Sequence, residues 1–189
     1  MTELKSMCVY CGSRAGFDPA YAEAARALGQ SLAERDITLI YGAGSTGLMG
    51  LLADACLAAG GEVVGVVPRF LIDWEVAHDG LTERIVVPDM HTRKARMFEL
   101  SDAFCALPGG IGTLEEAFEM ATWKQLRRHQ RPLIVANIAG YWDPLMALVG
   151  QTIDRGFADQ STRALWHSVN DVRQVIPSAE TLLAQAARQ

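Results

Sequence analysis

An apolar run, Ala103-Phe104-Cys105-Ala106-Leu107, passes straight into Pro108-Gly109-Gly110-Ile111-Gly112-Thr113-Leu114-Glu115-Glu116, where three glycines lead into a helical pattern. A strand that stops at a glycine-rich turn and opens a helix leaves bare backbone N–H groups at the positive end of that helix. Such a turn is suited to holding a phosphate. It also belongs to folds in which strands and helices alternate, and the rest of the chain repeats that alternation. Apolar runs at residues 7–10, 37–41, 62–67, 84–87, 103–107 and 132–137 read as strands. Between and after them lie helical patterns: Tyr21, Ala24, Ala25, Leu28 and Leu32 behind an Asp18-Pro19 start, then residues 48–59, 90–100, 113–128 and 144–155. A short helical stretch at 70–76 is less regular, and the tail from Asp171 is helical with an interruption or restart near Pro177. Strands separated by helices of this length cannot pair as hairpins; they form βαβ units. The expected fold is α/β, a Rossmann-like doubly wound parallel sheet with helices on both faces, in one domain spanning residues 1–189.

Half of the residues are hydrophobic, enough for a core, yet no apolar run reaches the roughly 18 residues of a membrane span. Met1-Thr2-Glu3-Leu4-Lys5 lacks the layout of a signal peptide, so a cytoplasmic location is expected. The net charge of −5, with no lysine- or arginine-rich block, argues against polymeric nucleic acid as a partner. The short groups Arg93-Lys94-Ala95-Arg96 and Arg127-Arg128 suit a small anion better. Cys8 and Cys11 make a lone C-x-x-C, but at that spacing on a strand their side chains point to opposite faces. No second cysteine pair or spaced histidine pair completes a metal site, and buried thiols in a reducing compartment are expected, with no metal.

In an open parallel sheet, ligands bind beyond the carboxyl ends of the strands. Four segments share that edge: residues 11–16, 42–47, 108–113 and the loop around 138–143. The helix from Met90 runs toward the amino end of the next strand, so its own start, with His91, Arg93 and Lys94, lies at the same edge. Gly42-Ala43-Gly44-Ser45-Thr46-Gly47 matches G-x-G-x-x-G, but Val66-Val67-Pro68-Arg69 stands where a dinucleotide site needs its carboxylate, about 20 residues on. Arg69 could meet a 2′-phosphate, which leaves NADP open; a tight turn and a second ligand wall is the expected role of these glycines. Thr113 and Glu116 have the spacing of a capping box, so the pattern leaves Glu116 between a cap and a catalyst. Arg93 heads an apolar stripe with Met97 and Leu100 and is expected to face inward as a phosphate or substrate clamp. Lys94 points roughly 100° away, toward a partner subunit or the same ligand. Ser13, following a strand, reads as a hydroxyl that hydrogen-bonds phosphate or sugar.

Pro108-Gly109-Gly110-Ile111-Gly112-Thr113-Leu114-Glu115-Glu116 matches the P-G-G-x-G-T-x-x-E signature of the Lonely guy (LOG) family, and Met90-His91-Thr92-Arg93-Lys94 resembles its M-H-x-R-K segment. Val9-Tyr10-Cys11-Gly12-Ser13, Tyr41-Gly42-Ala43-Gly44 with Gly47-Leu48-Met49-Gly50, and Thr122-Trp123-Lys124-Gln125-Leu126 are similar to further family segments, so the resemblance extends to about Gly156. It implies a cytokinin riboside 5′-monophosphate phosphoribohydrolase that cleaves N6-modified AMP into free base and ribose 5-phosphate. Arg93 and Glu116 would be the catalytic pair. Ser13, Glu75, Lys94, Gly109, Gly110, Gly112, Thr113 and Glu115 would bind the nucleoside 5′-monophosphate, with no cofactor. The resemblance further implies a homodimer with sites near the subunit interface. Members often carry a lysine decarboxylase label, for which this sequence shows no evident pyridoxal phosphate site. Arg14, where a small polar residue is common, and Ala43, in place of a glycine, depart from the family pattern. Two alternatives share the cradle: an AMP nucleosidase with little N6 preference, and a non-catalytic nucleotide or molybdenum-cofactor carrier, which needs no such arginine–glutamate pair.

Overall fold

The computed structural model of the chain describes residues 3–72 and 77–188. Strands β1 (Ser6–Tyr10), β2 (Thr38–Tyr41), β3 (Val63–Pro68), β4 (Glu83–Val87), β5 (Ala103–Ala106), β6 (Leu133–Ala136) and β7 (His167–Val169) form one sheet. All its pairings are parallel, in the order β4-β3-β2-β1-β5-β6-β7. The chain therefore works outward from β1 to β4, returns to the other side of β1, and works outward again. That is a doubly wound sheet with its switch point between β1 and β5. The helices are α1 (Pro19–Ala33), α2 (Gly47–Ala58), α3 (Arg69–Ile72), α4 (Met90–Glu99), α5 (Ile111–Gln125), α6 (Asp143–Asp154) and α7 (Val175–Ala186).

The pleat of β1 sorts the core in two. Met7, Val9 and Cys11 face one cluster, which α1, α2 and α7 close with Leu28, Leu52 and Ile176. Cys8 and Tyr10 face the other, which α4, α5 and α6 close with Met97, Met120 and Val149. Cys8 and Cys11 thus lie on opposite faces, as their spacing predicts, and all four cysteines are free and buried. Burial pushes each thiol above its ordinary value.

Asp18 caps α1 by accepting from the Ala20 N–H at 2.9 Å, with Pro19 at the first helical position. Asp89, which the sequence pattern did not single out, caps α4 by accepting from the Thr92 N–H at 2.8 Å. β7 was also unforeseen: three residues, His-Ser-Val, make no apolar run and owe their strand form to pairing with β6. The interruption near Pro177 is a restart, since a short 3-10 turn at Val172–Gln174 feeds directly into α7.

α1 and α2 pack closely because Gly29 has no side chain: a Cβ there would lie 2.3 Å from the Leu52 carbonyl oxygen. Gly29→Ala is expected to destabilise the fold by about 2 kcal/mol, because overpacking outweighs the gain in helix propensity. Urea unfolding measures it; an unchanged or higher midpoint would show that the two helices can part freely.

Candidate active site

The loops after β1 and β5 meet backbone to backbone at the switch point. The Gly12 N–H donates to the Pro108 carbonyl at 3.1 Å. A Cβ on Gly109 would stand 2.1 Å from Thr113 Oγ1 and 2.8 Å from the Gly12 nitrogen, so only glycine fits. Beside this contact lies a cleft of about 460 Å³ lined by residues 12–16 and 108–110 together with Tyr21, Leu48 and Tyr141. Three of the four segments expected at the ligand edge thus share one wall, and Ser13, Gly109 and Gly110 are among the lining residues.

α5 begins earlier than its sequence suggested. Gly110 is the N-cap, Ile111 opens the helix, and Thr113 lies within the first turn, 3% exposed. The expected capping box of Thr113 and Glu116 is therefore absent, because glycine backbone reaches the helical conformation two residues sooner. Glu116 is left without a capping role. Among the described residues no side chain caps the head of α5. Its first intrahelical bond runs from the Leu114 N–H to the Gly110 carbonyl at 3.1 Å, and the N–H groups of Ile111 and Gly112 meet no acceptor among the described residues.

The head of α2 is the opposite case. The Leu48 and Met49 N–H groups donate to the Gly12 carbonyl at 3.0 and 3.3 Å. A Cβ on Gly47 would meet the Ser13–Arg14 backbone within 2.4 Å. The G-x-G-x-x-G loop is consequently filled by the β1 loop, and the dinucleotide option for Arg69 has no free helix head to bind a pyrophosphate. Gly42 has another use: its missing Cβ leaves room for Arg93, whose Nη2 would lie 2.1 Å from that position. Ala43, the departure from glycine, sits buried at φ 65°, a left-handed conformation that suits glycine better.

Arg93 is 8% exposed and points inward, as expected. Its Nε donates to the Val66 carbonyl, within β3, at 3.2 Å and its Nη2 to the Gly42 carbonyl, just beyond β2, at 3.4 Å. Nη2 lies 4.0 Å from Glu116 Oε1, and both side chains are about nine-tenths buried. Burial pushes the Glu116 carboxyl up to about 7, with the Arg93 charge opposing the rise and the Glu115 charge adding to it. The pair comes from α4 and α5, on the sheet face opposite the Tyr21 and Leu48 wall of the cleft. The glycine turn lies between the two.

Lys94 turns away from both. Its Nζ lies 2.5 Å from Glu115 Oε1 and 3.0 Å from Glu119 Oε1, joining α4 to α5. Desolvation pulls its pKa down, but the hydrogen bonds to Glu115 and Glu119 outweigh it and leave the amine above its ordinary value. Lys94 and Glu115, both expected on the substrate, are therefore engaged with each other. Glu75 falls outside the described residues. The loop after β6 supplies a residue with no sequence signal. Asn137 accepts from the Trp142 N–H and donates to Asp143 Oδ1, each at 2.7 Å, folding the loop so that the Tyr141 hydroxyl donates to the Gly109 carbonyl.

A family model described as "Possible lysine decarboxylase" matches residues 49–179. The rice (Oryza sativa subsp. japonica) protein named "Probable cytokinin riboside 5′-monophosphate phosphoribohydrolase LOGL1" is 47% identical over 93% of this chain and 74% of its own length. The Arabidopsis thaliana cytokinin riboside 5′-monophosphate phosphoribohydrolase LOG5 is 42% identical over 95% of this chain and 78% of its own length. The chain belongs to the LOG family. The Moco carrier protein of Chlamydomonas reinhardtii shares the fold of this LOG-family chain, with a TM-score of 0.70 at 23% identity over 97% of this chain and 99% of that one. The decarboxylase description fits the residues poorly. Pyridoxal phosphate needs a lysine amine free to form a Schiff base. The chain's only lysines are Lys5, just before β1, Lys94, held between two carboxylates, and Lys124, in the last turn of α5. None lines the cleft.

The raised Glu116 pKa has a stability signature. The folded chain keeps this proton up to about pH 7, whereas an unfolded glutamate releases it near 4.5. The stabilisation is complete below 4.5 and is lost as pH rises through 7. Glu116→Gln is expected to gain about 3 kcal/mol over wild type on going from about pH 4 to about pH 8. Urea unfolding at both values tests this; a gap that stays constant would mean that Glu116 ionises as in water.

Proposed function

We propose that this protein hydrolyses the N-glycosidic bond of N6-modified adenosine 5′-monophosphate, releasing the free base and ribose 5-phosphate. The observation that carries the reading is the buried Arg93–Glu116 pair, 4.0 Å apart beside a helix head with bare amides. A phosphate cradle alone serves a carrier; a desolvated carboxylate facing a guanidinium adds chemistry. The names of the LOG relatives point the same way.

In this reading the 5′-phosphate rests on the backbone of Gly110, Gly112 and Thr113 at the positive end of α5. The bond from the anomeric carbon to the base nitrogen breaks, and its electron pair leaves with the base. Glu116, as carboxylate, stabilises the positive charge growing on that carbon and takes a proton from the water that attacks it. With a pKa near 7, it exists in both protonation states at neutral pH. Arg93 keeps its orientation through Val66 and Gly42, and its positive charge meets the negative charge building on the departing base. The base takes up a proton from solvent and leaves neutral, while Glu116 gives the proton it took from water back to solvent.

The same reading carries a cytoplasmic location and a homodimer. Four buried free thiols suit a reducing compartment, and among the described residues no helix is long and apolar enough to cross a membrane. Ile111 and Phe118 on α5 and Leu126 at its C-cap stand exposed at helical spacing, an apolar stripe fit for a second copy.

A product assay with AMP and N6-isopentenyl-AMP side by side tests the reading. Isopentenyladenine and ribose 5-phosphate are expected to appear faster than adenine from AMP. Preference for AMP would make the protein a general nucleotide nucleosidase, and no base from either would favour a carrier. Arg93→Ala and Glu116→Gln are each expected to lower turnover by about a hundredfold or more while far-UV dichroism stays unchanged. Unaltered turnover in either variant removes that residue from the mechanism.

A further inference from the structure

Three consecutive carbonyls of the glycine turn are each tied to a different element. The Pro108 carbonyl accepts from the Gly12 N–H, the Gly110 carbonyl from the Leu114 N–H, and the Gly109 carbonyl from the Tyr141 hydroxyl. With its oxygens occupied, the turn has amides left to offer. Two of the three bonds are backbone to backbone. Tyr141 supplies the third and is the one side chain among the donors. Its ring is wedged edge-on between Tyr21, at 5.7 Å, and Trp142, at 5.1 Å, so the hydroxyl is held in place.

The peptide plane it holds is the one most able to turn. It joins two glycines, and rotating it needs changes only at ψ of Gly109 and φ of Gly110, with no Cβ on either side to resist. Gly110 stands at φ −85°; rotation would carry it into the positive region that glycine adopts readily. In a trans peptide the N–H and C=O point in opposite directions. A rotation therefore exchanges them, putting a carbonyl oxygen where the Gly110 amide stands at the head of α5. An oxygen there repels the anion that the amide would bind.

We infer that Tyr141 is a positioning residue: its hydroxyl locks the Gly109–Gly110 peptide in the orientation that lets the head of α5 bind a phosphate. The inference deepens the phosphoribohydrolase reading and rests on its phosphate site, but it concerns binding rather than bond cleavage. It also gives a use to the loop after β6, whose tight form through Asn137 delivers Tyr141 across the switch point to the β5 turn.

Tyr141→Phe removes the hydroxyl and keeps the ring between its aromatic neighbours. Calorimetric titration with ribose 5-phosphate is expected to show affinity lowered about tenfold relative to wild type. The KM for N6-isopentenyl-AMP should rise by a similar factor with kcat within about twofold, and the melting temperature should be nearly unchanged. Inhibition by isopentenyladenine, which carries no phosphate, should stay as in wild type. Equal ribose 5-phosphate affinities in the two proteins would overturn the lock, as would equal weakening toward the phosphate-free base, which marks a general structural role. A wild-type protein that binds ribose 5-phosphate but cleaves no nucleotide would sink the hydrolase reading and leave the lock standing. One that binds no ribose 5-phosphate would sink both.

Discussion

Two glycines, Gly12 and Gly109, let the loops after β1 and β5 lie backbone on backbone where the sheet reverses direction, and much of the site follows from that contact. Gly12 donates to the Pro108 carbonyl and also accepts, through its own carbonyl, the first amides of α2. One residue thereby fixes the β5 turn and fills the second glycine loop. Of the two glycine-rich turns in the chain, the one before α5 keeps the bare helix head. The positive end of that helix, with its bare amides, defines a place for an anion by geometry alone.

The charges around it are arranged at some cost to stability. Burying an arginine beside a glutamate is seldom worth more than apolar packing in the same volume. Arg93 is retained inside by two backbone carbonyls, of Val66 and Gly42, and Glu116 stays with a pKa near 7 because burial outweighs the arginine's attraction. Lys94 offsets the neighbouring carboxylates by engaging Glu115 and Glu119, which holds α4 against α5 and with it the distance between Arg93 and Glu116. Such an expensive arrangement is what an active site requires, where a group must be poised to change its protonation state.

The alternation of strands and helices, the parallel sheet, and the inward turn of Arg93 were legible because each rests on a period in the sequence. The start of α5 was not. Thr113 and Glu116 have capping-box spacing, but glycine backbone before them reaches the helix earlier, and no spacing rule encodes that freedom. β7 was invisible because three residues of a short edge strand carry no period. The pairing of Lys94 with Glu115 and Glu119 depends on how α4 and α5 pack side by side, and the reach of Tyr141 to Gly109 on the fold of the 137–143 loop. Both are tertiary facts with no local signature. The family resemblance named Arg93 and Glu116 together; packing shows why they face each other.

The most direct measurement is the titration of the Glu116 carboxyl itself, read as the carboxyl band lost in the infrared difference between wild type and Glu116→Gln. A midpoint near pH 7 is expected, rising further in Arg93→Ala when the opposing charge is removed. A midpoint near 4.5, unmoved by Arg93→Ala, would contradict a closed, electrostatically coupled pair and with it the proposed catalytic role of Arg93 and Glu116.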